Sequence, residues 1–264
     1  MLWVYAIPPW WLFAGVIGFT CGLAMLGLLL FHRAFPPREE LTHNDVAGPV
    51  IGTVGTILAV ILSFLLVTVW QEYDQAAGTV EQEASAVADL YHLAGSFPPA
   101  VGQRLRSDLR DYIEAVVNDE WPAMRTGHRS SAARRSAMQA LEIVAAYNPS
   151  AASQQALQQD AIGLVHTFQD ARRDRLFAND QGIPVFFWAS NLVMAAITIA
   201  LCYLFRVRSR TAHVAMTMSV AAVIAIVFVL IALFDYPFRG YTQIKPTLFV
   251  NLQHSLGNNL TESD

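Results

Sequence analysis

Histidine, cysteine and acidic side chains are the groups in this chain that could carry catalytic or metal chemistry. The seven histidines include no pair at the spacing of metal ligands, and Cys21 and Cys202 both lie inside apolar runs. The sequence contains no P-loop, dinucleotide-binding glycine motif, zincin helix or nucleophile elbow. We therefore predict that the protein is not an enzyme and that it binds neither a cofactor nor a metal.

The segment most informative about function is the apolar run of residues 46–70, which is long enough to cross a membrane as a helix. With about 3.6 residues per turn, small and bulky side chains separate onto different faces. The small face consists of Gly52, Thr56, Ala59 and Ser63, and the bulky face consists of Ile57, Ile61, Phe64 and Thr68. The small face would either allow close packing against another helix or line a pore for anions. In a pore, the bulky residues would form a neck that closes by dewetting.

Polar residues flank this run on both sides. The motif before it contains His43, Asn44, Asp45 and Gly48. Asn44 or Asp45 is suited to cap the helix, whereas the backbone N–H groups of a helix start would also attract an anion. The segment after the run is acidic, with Glu72, Asp74, Glu81, Glu83 and Asp89. It indicates either a solvated helix surface or a collar that attracts cations.

A further polar motif, residues 235–240, follows the last apolar run. Pro237 and Gly240 are expected to end the helix, and Asp235 or Arg239 could pair with opposite charges elsewhere. Together with residues 70–74 at the end of the second apolar run, this motif predicts a structural clamp where the chain leaves the membrane. The clamp residues are Trp70, Glu72, Asp74, Asp235, Pro237, Arg239 and Gly240.

The elements that would position these residues are four apolar runs, at residues 10–31, 46–70, 183–205 and 211–234. Apolar residues make up 54% of the chain and charged residues 14%, against about 25% charged residues in a typical soluble domain. Each run is long enough to span the bilayer, where a helix satisfies its own backbone polar groups. We predict an all-α integral membrane protein with four transmembrane helices, surrounded by lipid.

The remaining segments differ in length and character. Residues 71–182 form a long insert, whose apolar residues recur every three or four positions and thus predict helices. The predicted organisation is a first transmembrane hairpin (10–70), a helical extramembrane insert (71–182), a second hairpin (183–234) and a polar C-terminal tail (235–264). We expect this tail to fray after Leu252.

Charge excludes some functions but does not determine sidedness. The net charge of −4 argues against nucleic-acid binding. No Asp, Glu, Lys or Arg lies inside a span, which argues against a proton relay or a charge-lined cation site. Positive charge next to the spans is balanced, with five Arg or Lys residues on each side of the membrane, although the Arg-rich hairpin after residue 205 favours an external insert.

The motifs at residues 43–48, 69–74, 80–86 and 235–240 resemble those of the bacterial bestrophin-like proteins of the DUF4239 family. The resemblance covers nearly the whole chain and implies a multi-pass protein of the bacterial inner membrane. Bestrophins are pentameric anion channels with an apolar neck in the second span and a cytoplasmic helical insert. The resemblance therefore implies a homo-oligomer, a neck near Ile57, Ile61 and Phe64, and a cytoplasmic insert.

Two hypotheses about function follow. The first is an oligomeric channel, a pentamer by resemblance, that passes small anions through a pore lined by the second span. The alternative is a non-conducting membrane adaptor or signalling protein whose insert binds a partner.

Animal bestrophins also carry a dense acidic calcium clasp after the fourth span. Here that region offers only Asp235, Glu262 and Asp264, so we predict no gating by calcium.

Overall fold

The structure, a computed structural model, describes residues 7–35, 44–205 and 209–258. The described residues form helices and contain no strand, which confirms the predicted all-α fold. The helices are α1 (Pro9–Ala34), α2 (Asn44–Leu93), α3 (Pro99–Ala115), α4 (Trp121–Arg125), α5 (Ala132–Ala146), α6 (Ala152–Asp180), α7 (Val185–Cys202), α8 (Arg210–Phe234) and α9 (Thr247–Asn258). A 3₁₀ turn occupies Ala94–Ser96 and a π-helical turn occupies Val116–Glu120.

Four of these helices are long and apolar enough to cross a membrane: α1, α2, α7 and α8. The four predicted spans are thus confirmed, with shifted ends. Helix α2 continues beyond the second predicted span, as one helix to Leu93. No proline occurs between Pro49 and Pro98 to interrupt it. Helix α7 begins two residues later than predicted, because Pro184 has the extended conformation of a residue that precedes a helix.

The chain divides into two compact units. The membrane unit comprises Met1–Gln71 and Gly182–Asp235, and the extramembrane unit comprises Glu72–Gln181 and Tyr236–Asp264. In the membrane unit, α8 is the central helix, since 44% of its most apolar stretch is buried, against 11% in α2. Helix α1 packs on α8 through a small cluster of Leu12, Val229 and Leu233.

The extramembrane unit has a continuous apolar core. Helix α3 contributes Leu105, Leu109 and Tyr112, all fully buried, as their helical spacing predicts. Helix α5 packs on α3 through a stripe of small residues, among them Ala133 and Ala140, which lets the two backbones come close. The core also takes in residues from α2 and α6, so it draws on most helices of this unit.

The C-terminal segment differs from the sequence prediction. Residues 247–258 form α9, and Phe249 and Leu256 on this helix are buried in the core of the extramembrane unit. The ring centre of Phe249 lies 6.0 Å from that of Trp121. The prediction that the tail frays after Leu252 is therefore wrong for the residues up to 258. Phe249, Leu252 and Leu256 recur at helical spacing, and this apolar stripe holds the helix in place.

The contact between α3 and the 3₁₀ turn before it makes a testable prediction. A Cβ atom at Gly102 would clash with the backbone carbonyl oxygen of Ala94, whereas one at Gly163 on α6 would meet nothing within 4 Å. We expect Gly102→Ala to lower the free energy of unfolding by about 1–3 kcal/mol, because backbone must move. Gly163→Ala is the matched control and should stabilise by up to about 1 kcal/mol. Equal thermal unfolding midpoints for the two variants would contradict this packing.

Candidate pore-lining surface

One side of the membrane part of α2 is packed and the other side is uncovered. Leu58, Leu62 and Val69 are buried and pack in a cluster that includes Ala195 of α7 and Phe228 of α8. With about 100° of rotation per residue, these three leucine and valine side chains fall on one narrow face of the helix. The opposite side of α2 is exposed from position 49 to position 71 in the single chain.

The predicted small and bulky residues both lie on this uncovered side. Seven of the eight are exposed and the eighth, Ile61, is half-buried. The exposed ones are Gly52, Thr56, Ala59, Ser63, Ile57, Phe64 and Thr68. The helical repeat makes them two adjacent stripes, which together cover about half of the helix circumference. The other helices of the chain therefore leave both predicted stripes uncovered.

Three threonine hydroxyl groups on this surface donate hydrogen bonds within the helix. Thr56 Oγ1 donates to the carbonyl oxygen of Gly52 at 2.7 Å, and Thr68 Oγ1 donates to that of Phe64 at 2.9 Å. Thr53 makes the same kind of bond to Pro49 at 2.9 Å. Because these hydroxyl protons are already used, they are not available to replace the hydration shell of an anion. The surface is thus suited to form an apolar barrier rather than a tight ion-binding site.

At the start of α2 the predicted motif is only partly described. His43 and the side chain of Asn44 lie outside the described residues, and Gly48 is half-buried. Helix α2 begins at Asn44, so the exposed Asp45 lies in the first turn instead of at the predicted capping position. Its carboxylate complements the positive end of the helix dipole. The negative charge of Asp45 would also weaken the attraction of this helix start for an anion.

At the other end of the spans, two contacts within the membrane unit involve the C-terminal end of α8. The ring of Trp70 meets that of Phe234 edge to face, with ring centres 5.2 Å apart. Asp235 Oδ1 accepts a hydrogen bond of 2.7 Å from the backbone N–H of Ile183, just before α7. The membrane part of α2 thus contacts the end of α8, and Asp235 fastens the segment that leads into α7.

The other predicted clamp residues lie in the extramembrane unit. Arg239 Nη2 donates to the carbonyl oxygen of Asn179 at 2.9 Å, and its guanidinium carbon lies 4.5 Å from the ring centre of Tyr236. Arg239 therefore contacts a carbonyl and a ring instead of the predicted carboxylate. Pro237 is buried, and Gly240 turns the chain with φ of 79°. Glu72 and Asp74 are exposed.

The acidic residues after the second span separate into two groups. Asp74, Glu81 and Asp89 are exposed, as expected of a solvated surface or a collar. Glu83 is fully buried, so the prediction that it belongs to this acidic surface is wrong. It follows the helical repeat of the buried residues on α2, which are Ala76, Val80, Val87 and Leu90. This alignment was the sequence signal for its burial.

Glu83 belongs to a buried cluster of charges that the sequence analysis missed. Arg175 Nε and Nη2 donate to its two carboxylate oxygens at 2.6 and 2.9 Å. Tyr112 donates its hydroxyl to Glu83 Oε1 at 2.6 Å. Glu120, also fully buried, accepts two bonds from Arg172, at 3.0 and 2.8 Å. The two arginines balance the two glutamates, which is what allows four charges to stay in an apolar core.

The protonation states within this buried cluster follow from its geometry. Burial alone would lower the pKa of Arg175, but Glu83 and then Glu120 raise it above its usual value, so the guanidinium stays charged. Burial, followed by the charge of Glu83, raises the pKa of Tyr112 well above its usual value, so its hydroxyl stays a donor. Arg175 also lies over the ring of Trp121, 4.8 Å from its centre. The cluster fastens α2, the π-helical turn and α6 together.

These features define an all-helical membrane protein with four spans and a helical extramembrane unit. The chain belongs to the bestrophin-like family, since the family model of the Bestrophin-like domain matches residues 18–249. A comparison with curated protein sequences finds no match.

Solved structures share this fold. A variant of a bacterial bestrophin homologue from Klebsiella pneumoniae matches with a TM-score of 0.70 and 10% identity, over 92% of this chain and 97% of that chain. A second variant of that homologue gives 0.69 and 10%, over 91% and 96%. A crystal structure of a membrane protein variant gives 0.66 and 13%, over 91% and 97%. At these identities the likeness shows the fold alone.

Proposed function

We propose that this protein is an oligomeric channel of the bacterial cell membrane that passes small anions, with the membrane part of α2 lining its pore. The observation that carries the proposal is the uncovered side of α2, where both candidate stripes lie. A single four-helix unit is filled by its own side chains, so the pore must form between copies. Membership of the bestrophin-like family supports transport of small anions.

The adjacency of the two stripes lets one helix perform two tasks. The small residues Gly52, Thr56, Ala59 and Ser63 would allow a helix of the neighbouring copy to approach closely. The bulky residues Ile57, Ile61, Phe64 and Thr68 would then face the central axis and form the neck. Packing and pore lining, which the sequence left as alternatives, are both accommodated in such a ring. The resemblance to bestrophins favours five copies and a cytoplasmic location for residues 71–182.

The second candidate function is that of an adaptor, and one feature of the extramembrane unit favours it. An open cleft of about 790 Å³ lies between the end of α2 and α6. Its lining includes the polar side chains of Asp89, His92 and Asp160 and the apolar side chains of Leu93 and Leu164. Such a cleft offers a partner protein both charge and apolar surface. A membrane adaptor would use this cleft and would conduct no ions.

Reconstitution of the purified protein in liposomes distinguishes the channel from the adaptor. Mass photometry gives the number of copies, and a halide-sensitive dye trapped inside the vesicles reports anion entry. The channel proposal predicts a discrete oligomer and chloride entry at a rate that rises with protein content. An intact oligomer that admits no more chloride than empty vesicles would contradict the channel and favour the adaptor.

The exposed acidic residues of α2 make a separate prediction about ion selectivity. A triple variant with Asp74→Asn, Glu81→Gln and Asp89→Asn should have a chloride-to-sodium permeability ratio raised by about twofold or more. The reason is that acidic groups near an ion path concentrate cations. Reversal potentials in a salt gradient measure this ratio. Neutralising the exposed Glu114, Asp119 and Glu142 is the matched control. If both triple variants shift the ratio equally, these residues of α2 do not flank the ion path.

A further inference from the structure

Two histidines meet in the membrane unit, at the end of α1 and near the start of α8. The ring centres of His32 and His213 lie 5.3 Å apart, and the ring planes are inclined by 51°. His213 is 4% exposed, whereas His32 is half-buried, so an ion can reach the pair on the His32 side. The two residues are far apart in the sequence, which is why no spacing rule revealed them.

The hydrogen bond of His213 determines its tautomer. Its Nε2 lies 3.0 Å from the carbonyl oxygen of Cys202, the last residue of α7. A carbonyl oxygen only accepts, so Nε2 carries the proton and Nδ1 keeps the lone pair. Histidines that bind metals commonly donate their other ring N–H to a backbone carbonyl in this way. His213 thus has the tautomer of a metal ligand that binds through Nδ1.

The separation of the rings fits a shared metal ion. A tetrahedral zinc ion bound to two imidazoles at about 2.0–2.1 Å places the two ring centres about 5.2 Å apart. The separation of His32 and His213 is 5.3 Å. The described residues contain no group of three or more His, Cys, Asp or Glu side chains that could hold a metal. Two protein ligands from the described residues, with water completing the coordination, would give an exchangeable site instead of a closed structural one.

We propose that His32 and His213 bind one divalent transition-metal ion, best suited to Zn²⁺, between α1 and α8. Imidazole ligands favour zinc, copper and nickel over calcium and magnesium, which prefer oxygen. Through the bond of His213 to the Cys202 carbonyl, the bound ion would also connect to the end of α7. The site does not depend on the proposed channel function, because its ligands lie in α1 and α8 rather than α2.

The test is zinc binding by the purified full chain in detergent, measured by isothermal titration calorimetry. We expect one Zn²⁺ per chain, with affinity at least about tenfold lower in His32→Phe and in His213→Gln. Phenylalanine keeps a ring at position 32, and the glutamine amide can still donate to the Cys202 carbonyl. His166→Gln, at an exposed histidine of α6, is the matched control and should bind as the unchanged protein does.

Cobalt gives an independent readout, because Co²⁺ in a tetrahedral site with nitrogen ligands absorbs visible light. The absorption should appear with the unchanged chain and with His166→Gln, and be lost in the other two variants. Size-exclusion profiles establish that each variant is folded. The proposal is overturned if the unchanged protein binds no zinc at micromolar concentrations. It is also overturned if folded His32→Phe and His213→Gln both bind zinc as tightly as the unchanged protein.

Discussion

Replacing Arg175 by methionine is expected to lower the free energy of unfolding of the extramembrane unit by about 3–5 kcal/mol. Arg175 is fully buried and holds Glu83 with two hydrogen bonds. Methionine fills much of the same volume, so the loss comes from the carboxylate of Glu83, which would remain buried without its counter-charge. The stability of a typical domain is only about 5–15 kcal/mol, so this unit would be close to unfolding.

Thermal unfolding followed by circular dichroism, together with limited proteolysis, measures this effect. The matched control is Arg173→Met, because Arg173 lies on the same helix and is 74% exposed. Its pair with Asp170 lies at the surface, where a pair contributes about 0–1 kcal/mol. Similar midpoints for Arg173→Met and Arg175→Met would contradict the role given to the buried cluster.

A double variant separates lost charge balance from lost packing. Glu83→Leu combined with Arg175→Met removes both partners and leaves Glu120 paired with Arg172. We expect this double variant to be more stable than Arg175→Met alone, because no unpaired charge remains in the core. The hydroxyl of Tyr112 would lose its acceptor, so stability should return only in part.

Replacing Phe64 by alanine is expected to raise the conductance of the reconstituted channel by about twofold or more. If Phe64 forms part of an apolar neck, the smaller side chain widens the neck and lets water enter it more easily. The fold of each chain should be unaffected, because Phe64 is 69% exposed. Assembly should also persist, because in the proposed ring the small face of α2, and not Phe64, packs on the neighbouring copy. Unitary currents in planar bilayers measure the effect, and mass photometry measures assembly.

The matched control for this variant is Phe19→Ala in α1. Phe19 is 68% exposed, so the two variants remove the same side chain from equally open positions on different helices. We expect Phe19→Ala to leave the unitary conductance unchanged, because its helix is not proposed to line the pore. Unchanged currents in Phe64→Ala, or the same change in both variants, would argue against a neck at Phe64.

The parts of the fold that could be predicted are those determined by local sequence. A membrane helix requires a long apolar run, so all four spans were visible without knowledge of their neighbours. The buried positions Leu105, Leu109 and Tyr112 followed from the repeat of a helix with one apolar face. The small and bulky stripes of α2 followed from the same repeat, although which side of α2 the other spans cover did not.

The features that escaped prediction depend on contacts between distant parts of the chain. Acidic residues in a polar helix are usually solvated, and only the position of Glu83 in an apolar stripe indicated its burial. Glu120 is brought into the core beside Arg172 by a π-helical turn, which no simple sequence pattern announces. The contact of His32 with His213 requires α1 to pack along α8, and nothing local in either helix predicts that pairing.

The most direct measurement of the central claim is chemical modification of a cysteine at position 64 during recording. Phe64→Cys, in a chain with Cys21→Ala and Cys202→Ala, is exposed in a planar bilayer to a water-soluble, thiol-specific reagent. A pore lined by α2 predicts a stepwise, irreversible fall of the current, while Phe19→Cys in the same background keeps its current. Absence of current from intact oligomers, or equal insensitivity of both variants, would contradict the proposal.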